Sequence, residues 1–239
     1  FWILTRHFKF FSGAFSPARI FELKALQELF RVNRDIMIRT LCLIFAFAWF
    51  TDQGARLGDL SLAANLILMQ FVTFSAFFID GFAIASESIM GEAHGKKDRA
   101  ATTGIIRAAF VNGALLAALL SLAFFFLSPW VMMLLTSNLS VIQEASRLSL
   151  WMVATPLVSF AAYIYDGLFI GATKTREMRS AMVMSLCVYL SAWWLTQSFE
   201  NHGLWLALMI YYVARALSLA WYQSRLYEFL DQEPKTTEP

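Results

Sequence analysis

Apolar residues are concentrated in six long runs that are separated by short polar connections. The runs are approximately residues 36–50, 60–91, 105–127, 150–173, 178–199 and 204–221. A helix needs about 20 apolar residues to cross the roughly 30 Å hydrocarbon core of a bilayer. The pattern therefore predicts an all-α polytopic membrane protein, a bundle of six transmembrane helices.

The segments outside these runs divide the chain further. Between Pro17 and Asn33, apolar residues recur every three or four positions with charged residues between them, which is typical of a helix lying in the lipid headgroup layer. We assign residues 1–33 to the end of a preceding helix and a cytoplasmic linker, 34–222 to the six-helix bundle, and 223–239 to a cytoplasmic tail. Between the third and fourth runs, Ser140 and Gln143 have the spacing of a capping box that opens a helix.

The positions of Lys and Arg predict the orientation of the bundle. Most of the 19 basic residues lie in residues 1–39, in the second and fourth connections, and after the last run. Short loops rich in Lys and Arg remain on the cytoplasmic side of a membrane. Both ends of the chain are therefore predicted to be cytoplasmic, as an even number of spans requires.

Composition excludes several classes of protein. The chain is 59% apolar and only 15% charged, too apolar for a water-soluble domain, and a net charge of +2 gives no reason to expect a nucleic-acid partner. Cys42 and Cys187 both lie inside apolar runs and are interpreted as packing residues. The sequence has no HExxH, GxSxG, P-loop or CxxC motif, so we expect neither an enzyme nor a bound metal or cofactor.

A weak internal repeat places two acids at matching depth. Residues 77–85 read FFIDGFAIA and residues 163–171 read YIYDGLFIG, which aligns Asp80 with Asp166. An acid followed by a glycine inside a span is uncommon, because a buried carboxylate is costly and glycine weakens a helix. The repeat indicates either two related three-helix units or one functional demand that occurs twice.

Ionisable residues deep in the spans are the candidates for function. Helix rise places Asp166 and Arg215 at similar depth, so the two could form an ion pair, with either a structural or a functional role. An acid in an apolar cavity could instead carry a proton across the membrane. With two further polar residues, the candidate substrate or ion pathway contains Asp80, Asp166, Arg215, Asn65 and Tyr163.

Several strings in the sequence are similar to a known family. NRDIMIR at 33–39, GARLG at 54–58, AAN at 63–65, DGFA at 80–83 and DGLFIGAT at 166–173 occur in this order. They resemble the DinF branch of the MATE (multidrug and toxic compound extrusion) transporters.

This resemblance implies a twelve-helix antiporter made of two six-helix lobes. Such a protein exports organic cations or other amphipathic toxic compounds through alternating access between the lobes, from the inner (plasma) membrane. The chain, which begins at Phe1 without Met, resembles the second lobe alone, so the N-terminal lobe of the same chain is expected to be missing. The implied partners are the lipid bilayer, that lobe and small cationic or amphipathic substrates.

The resemblance also bears on the coupling ion. Sodium-coupled members of the family carry an acid in the helix that matches residues 36–50, and this run contains none. Their second acid would align near Ser159. The branch that the chain resembles is usually proton-coupled through an Asp in the first helix of the other lobe, so the resemblance implies proton motive force as the energy source, and sodium is expected less.

Two other classes of function remain open. A lipid-precursor flippase of related fold would need several cationic residues in its cavity to bind a diphosphate, whereas only Arg215 lies deep in a predicted span. In a non-transporting scaffold subunit, the deep charged residues would serve only as structural pairs.

Overall fold

The computed structural model describes residues 23–230, and all the long elements in this part of the chain are α-helices. The six helices are α1 (Leu23–Arg56), α2 (Asp59–Gly95), α3 (Arg99–Leu135), α4 (Leu139–Gly171), α5 (Thr175–Thr196) and α6 (Glu200–Trp221). A 3-10 turn, Gln197–Phe199, joins α5 to α6, and a second 3-10 helix, Gln223–Leu230, follows α6. The prediction of an all-α fold is confirmed.

Four helical segments are long and apolar enough to cross a membrane. They are Asp59–Gly95, Arg99–Leu135, Leu139–Gly171 and the segment Thr175–Glu228, which contains both α5 and α6. These lengths and compositions make the chain a multi-pass membrane protein. The number of six spans and the cytoplasmic location of both ends stay predictions.

The first helix begins earlier than the predicted span. α1 contains 34 residues and is roughly 51 Å long, well beyond the thickness of a hydrocarbon core. It runs without a break through Asn33, because no proline or glycine interrupts the chain between Leu23 and Gln53. The predicted boundary after residue 33 therefore falls inside α1. The predicted interfacial helix contributes the first turns of α1 from Leu23 onward, and its earlier part lies outside the described residues.

Side-chain caps fix the beginnings of two helices. The Asp98 carboxylate accepts a hydrogen bond from the Ala101 amide at 2.9 Å and caps α3. At α4 the cap is Asn138, whose side-chain oxygen accepts from the Ser140 amide at 3.0 Å. The predicted capping box at Ser140 is therefore wrong: an asparagine two residues earlier satisfies the free amide groups of the first turn.

Helix α4 occupies the centre of the bundle and packs against α2, α3 and α6. Its closest approach is to α2. A Cβ atom at Gly167 would overlap the carbonyl group of Ala83, and one at Gly171 would overlap the carbonyl group of Glu87. This four-residue spacing of glycines is the arrangement that lets two membrane helices bring their backbones into contact. The close α2–α4 contact sets the positions of the two acids described next.

Candidate functional site

A buried carboxylate joins three helices of the bundle. The Oδ2 atom of Asp166 on α4 accepts hydrogen bonds from Nη2 of Arg39 on α1 and from Nη2 of Arg215 on α6. The side chains of Asp166 and Arg215 are 7% and 1% exposed. The predicted contact between Asp166 and Arg215 is therefore present. Arg39 was missed as a site residue because the sequence pattern placed it with the cytoplasmic charges at the start of the first span.

Aromatic rings surround the buried guanidinium group of Arg215. Its Cζ atom lies 5.4 Å from the centroid of the Tyr163 ring, within the range of a cation–π interaction. Tyr163 is itself buried, and its ring centroid lies 6.1 Å from that of Tyr212. The rings and the carboxylate replace part of the hydration that Arg215 loses in the core.

The two arginines have more donors than the site has acceptors. Atoms Nε and Nη1 of Arg215 and Nε of Arg39 are buried and have no hydrogen-bond partner among residues 23–230. A guanidinium group has five N–H donors, and here both groups donate to the same oxygen of Asp166. The cluster can therefore accommodate a further acceptor.

Asp80 lies beside this cluster without joining it. The residue is half-buried on α2, within electrostatic reach of Asp166, Arg215 and Arg39. Its carboxylate forms no salt bridge or hydrogen bond with another residue in the described range. Two acids and two arginines thus balance in charge, but only Asp166 is held by direct ion pairs.

The two copies of the internal repeat differ in structure. In α4 the acid is paired with arginines, and Gly167 touches the backbone of α2. In α2 the acid is unpaired, and a Cβ at Gly81 would meet nothing within 4 Å. The same Asp-Gly pair therefore makes a tight helix contact in one copy and an open, half-buried position in the other.

Asn65 lies in a different network near the beginning of α2. Its Nδ2 atom donates to Oδ1 of Asn201 at 2.8 Å, and Nε1 of Trp205 donates to its Oδ1 at 2.9 Å. Fifteen residues separate Asn65 from Asp80, roughly 22 Å along the helix. The structure thus brings together four of the five predicted site residues and places Asn65 at the other end of the bundle.

A second buried acid links α1 to α5. Asp35 is 2% exposed and accepts from Nη1 of Arg179 at 2.6 Å and from Nη2 of Arg34 at 3.3 Å. Asp35 directly precedes the first apolar run, so its position in the sequence does not predict that it is buried. This pair and the Asp166 cluster both attach α1 to the rest of the bundle.

The described residues do not form a metal site. Residues 23–230 contain no group of three or more His, Cys, Asp or Glu side chains that could hold a metal ion. Cys42 and Cys187 are both free thiols.

Long apolar helices around a charged cluster in the bundle core define a polytopic membrane protein whose ionisable groups are shielded from lipid. The model of the MatE family matches residues 36–194. The chain belongs to this family, which confirms the resemblance found in the sequence.

Relatives agree with this assignment. The chain is 38% identical to DNA damage-inducible protein F of Escherichia coli over 194 residues, which are 81% of this chain and 42% of that protein. It is 27% identical to Protein DETOXIFICATION 42 of Arabidopsis thaliana, over 78% of this chain and 36% of that protein.

A solved structure shows the same fold. An Asp-to-Asn mutant of the Vibrio cholerae MATE transporter VcmN superimposes with a TM-score of 0.71 at 21% identity, covering 87% of this chain and 49% of that one. The chain thus spans less than half the length of each of these three proteins.

Proposed function

We propose that the whole protein is a proton-coupled secondary antiporter that exports organic cations or other amphipathic toxic compounds. The described helices would form one lobe, and a second lobe of the same chain would complete the transport path by alternating access. Membership in the MatE family and the membrane-length helices support a transporter in the inner membrane.

The observation that carries this proposal is that Asp80 is half-buried in a membrane helix without an ion-pair partner among the described residues. An acid in the middle of a membrane helix is costly unless it faces a cavity or a partner. Asp80 is half-buried and has no ion-pair partner among the described residues. Such a carboxylate can bind a proton or the positive group of a substrate, one at a time, which is the exchange an antiporter needs.

Asp166 is the weaker candidate for a proton carrier. Its carboxylate is already paired with two arginines. These pairs join three helices, so we assign Asp166 to holding α1, α4 and α6 together.

The surroundings of Asp80 favour a proton over sodium as the coupling ion. Sodium is a hard cation that prefers several oxygen ligands. The charged groups close to Asp80 include Arg39 and Arg215, which offer no ligand atom and repel a metal cation. A proton needs only one carboxylate, and proton motive force would drive the cycle without a cofactor.

The test uses the full-length protein in inside-out membrane vesicles with a fluorescent organic cation as the substrate. We expect Asp80→Asn to abolish uptake driven by a proton gradient. Glu87→Gln is the matched control, because Glu87 lies two turns further along α2 and is also half-buried. Proton-driven uptake by Asp80→Asn at the wild-type rate and pH dependence would refute the role of Asp80.

The same assay distinguishes the alternatives. A scaffold subunit would show no gradient-driven uptake in the wild type. A lipid-precursor flippase would move a diphosphate-linked lipid, but the acids Asp166 and Asp80 balance the charge of Arg39 and Arg215, so the cluster has no excess positive charge for a diphosphate. The antiporter is therefore the better-supported function.

A further inference from the structure

The two arginines of the cluster are held very differently. Arg215 is 1% exposed, lies over the Tyr163 ring, and belongs to α6, which packs directly on α4. Arg39 is 18% exposed and belongs to α1, which packs mainly on α5. Its side chain extends across to α4 to contact Asp166. Arg39 is therefore the member of the cluster that can leave with the smallest loss of packing.

The shared acceptor makes the pairing of Arg39 with Asp166 less favourable than an exclusive pairing would be. Arg39 and Arg215 both donate to Oδ2 of Asp166, and neither forms the two-bond pairing in which arginine binds a carboxylate best. The Nε atom of Arg39 is also buried without a partner among the described residues. A second carboxylate would satisfy these donors better than a shared oxygen does.

Asp80 is that second carboxylate. The charged and titratable groups that face it are Asp166 and Tyr163 of α4, Arg215 of α6 and Arg39 of α1. Arg215 is fixed by its packing, so Arg39 is the cation free to approach. An ionised, empty Asp80 attracts Arg39, whereas a protonated Asp80, or one that holds a substrate cation, has no net attraction left.

We infer that Arg39 is a positioning residue that exchanges between Asp166 and Asp80. Whether Asp80 is empty, protonated or bound to a substrate cation thereby sets the position of α1 relative to α4. This inference rests on the proposed function in one respect, the assignment of Asp80 as the residue that binds the proton. It adds the step by which the binding event reaches a helix. No bond other than ion pairs and hydrogen bonds changes in the exchange.

The test measures the distance between α1 and α4 by pulsed electron spin resonance. Spin labels would be attached at Met37→Cys in α1 and Thr173→Cys, two residues after the end of α4, in full-length protein whose other cysteines are replaced; both positions are exposed. We expect two distance populations whose ratio changes about tenfold between acidic and alkaline buffer. Asp80→Asn should hold the ratio at its acidic value at every pH, and Glu87→Gln should behave as the wild type.

A second measurement keeps the test independent of folding. Arg39→Gln removes the exchanging charge and should make the ratio independent of pH, whereas Arg39→Lys should restore the dependence, at least in part. A distance ratio that does not vary with pH in the wild type would overturn the inference, as would an unchanged pH response in Asp80→Asn. If the distances respond as expected while vesicles show no proton-driven uptake, the proposed function fails and the exchange stands.

Discussion

Gly167 and Gly81 offer a matched pair of substitutions that tests the α2–α4 contact. They occupy equivalent positions in the internal repeat, each directly after an aspartate. Alanine at Gly81 would meet nothing within 4 Å. Alanine at Gly167 would place its Cβ against the Ala83 carbonyl oxygen, 2.8 Å from the carbonyl carbon and 3.0 Å from the Cα. These are backbone atoms, so no side-chain rotation can relieve the overlap.

Gly167→Ala is expected to lower the stability of the protein, whereas Gly81→Ala is expected to leave it unchanged or to raise it. Overpacking of a well-packed core costs about 1–3 kcal/mol, and the rigid backbone here favours the upper part of that range. For a chain of this length, the cost corresponds to a Tm lower by roughly 2–12 °C. Gly81→Ala should have no effect or should stabilise the protein by up to about 1 kcal/mol, because alanine is the better helix former.

The assay is thermal unfolding of the two purified variants and the wild type in the same detergent, followed by helical circular dichroism. Gly171→Ala, which would contact the Glu87 carbonyl group, provides a second test of the same helix contact and should also lower the Tm. Equal Tm values for Gly167→Ala and Gly81→Ala would refute the argument that backbone contact explains the glycine.

Three further substitutions test separate parts of the structure. Asp166→Asn removes the carboxylate that pairs directly with both Arg39 and the buried Arg215, and it should destabilise the protein by about 3–5 kcal/mol, measured by thermal unfolding. Asn65→Leu removes the partner of Trp205 and should lower stability by about 1–3 kcal/mol, with unchanged substrate uptake per folded molecule. Asn138→Ala should cost about 0.5–2 kcal/mol and Ser140→Ala much less; the reverse order would restore the capping box at Ser140.

The sequence predicts a contact well where the position of each residue along its helix is enough to show that the two lie at the same level. Each of the six apolar runs falls on a different helix, and the helix rise places Asp166 and Arg215 at the same level. The same arithmetic separates Asn65 from Asp80 by roughly 22 Å, so its placement in a different network could also have been derived.

Other features depend on the arrangement of helices in space. The apolar pattern places the start of the first span at Ile36 and therefore groups Arg39 with the cytoplasmic charges. The helix in fact begins at Leu23, which puts Arg39 roughly 24 Å along it. The two glycines of the repeat have the same neighbours in the sequence, so only the position of α2 beside α4 explains why they differ.

The attachments between α1 and α5 have a mechanical consequence. Asp35 binds Arg179 near the beginning of α5, and Oε1 of Gln53 accepts a hydrogen bond at 3.1 Å from Nε1 of Trp193 near the end of α5. These two contacts hold α1 against α5 over most of the length of α5, while glycine contacts bring the backbones of α2 and α4 together. The ion pair between Arg39 and Asp166 connects these two helix pairs, so a shift of one pair relative to the other must stretch or break it.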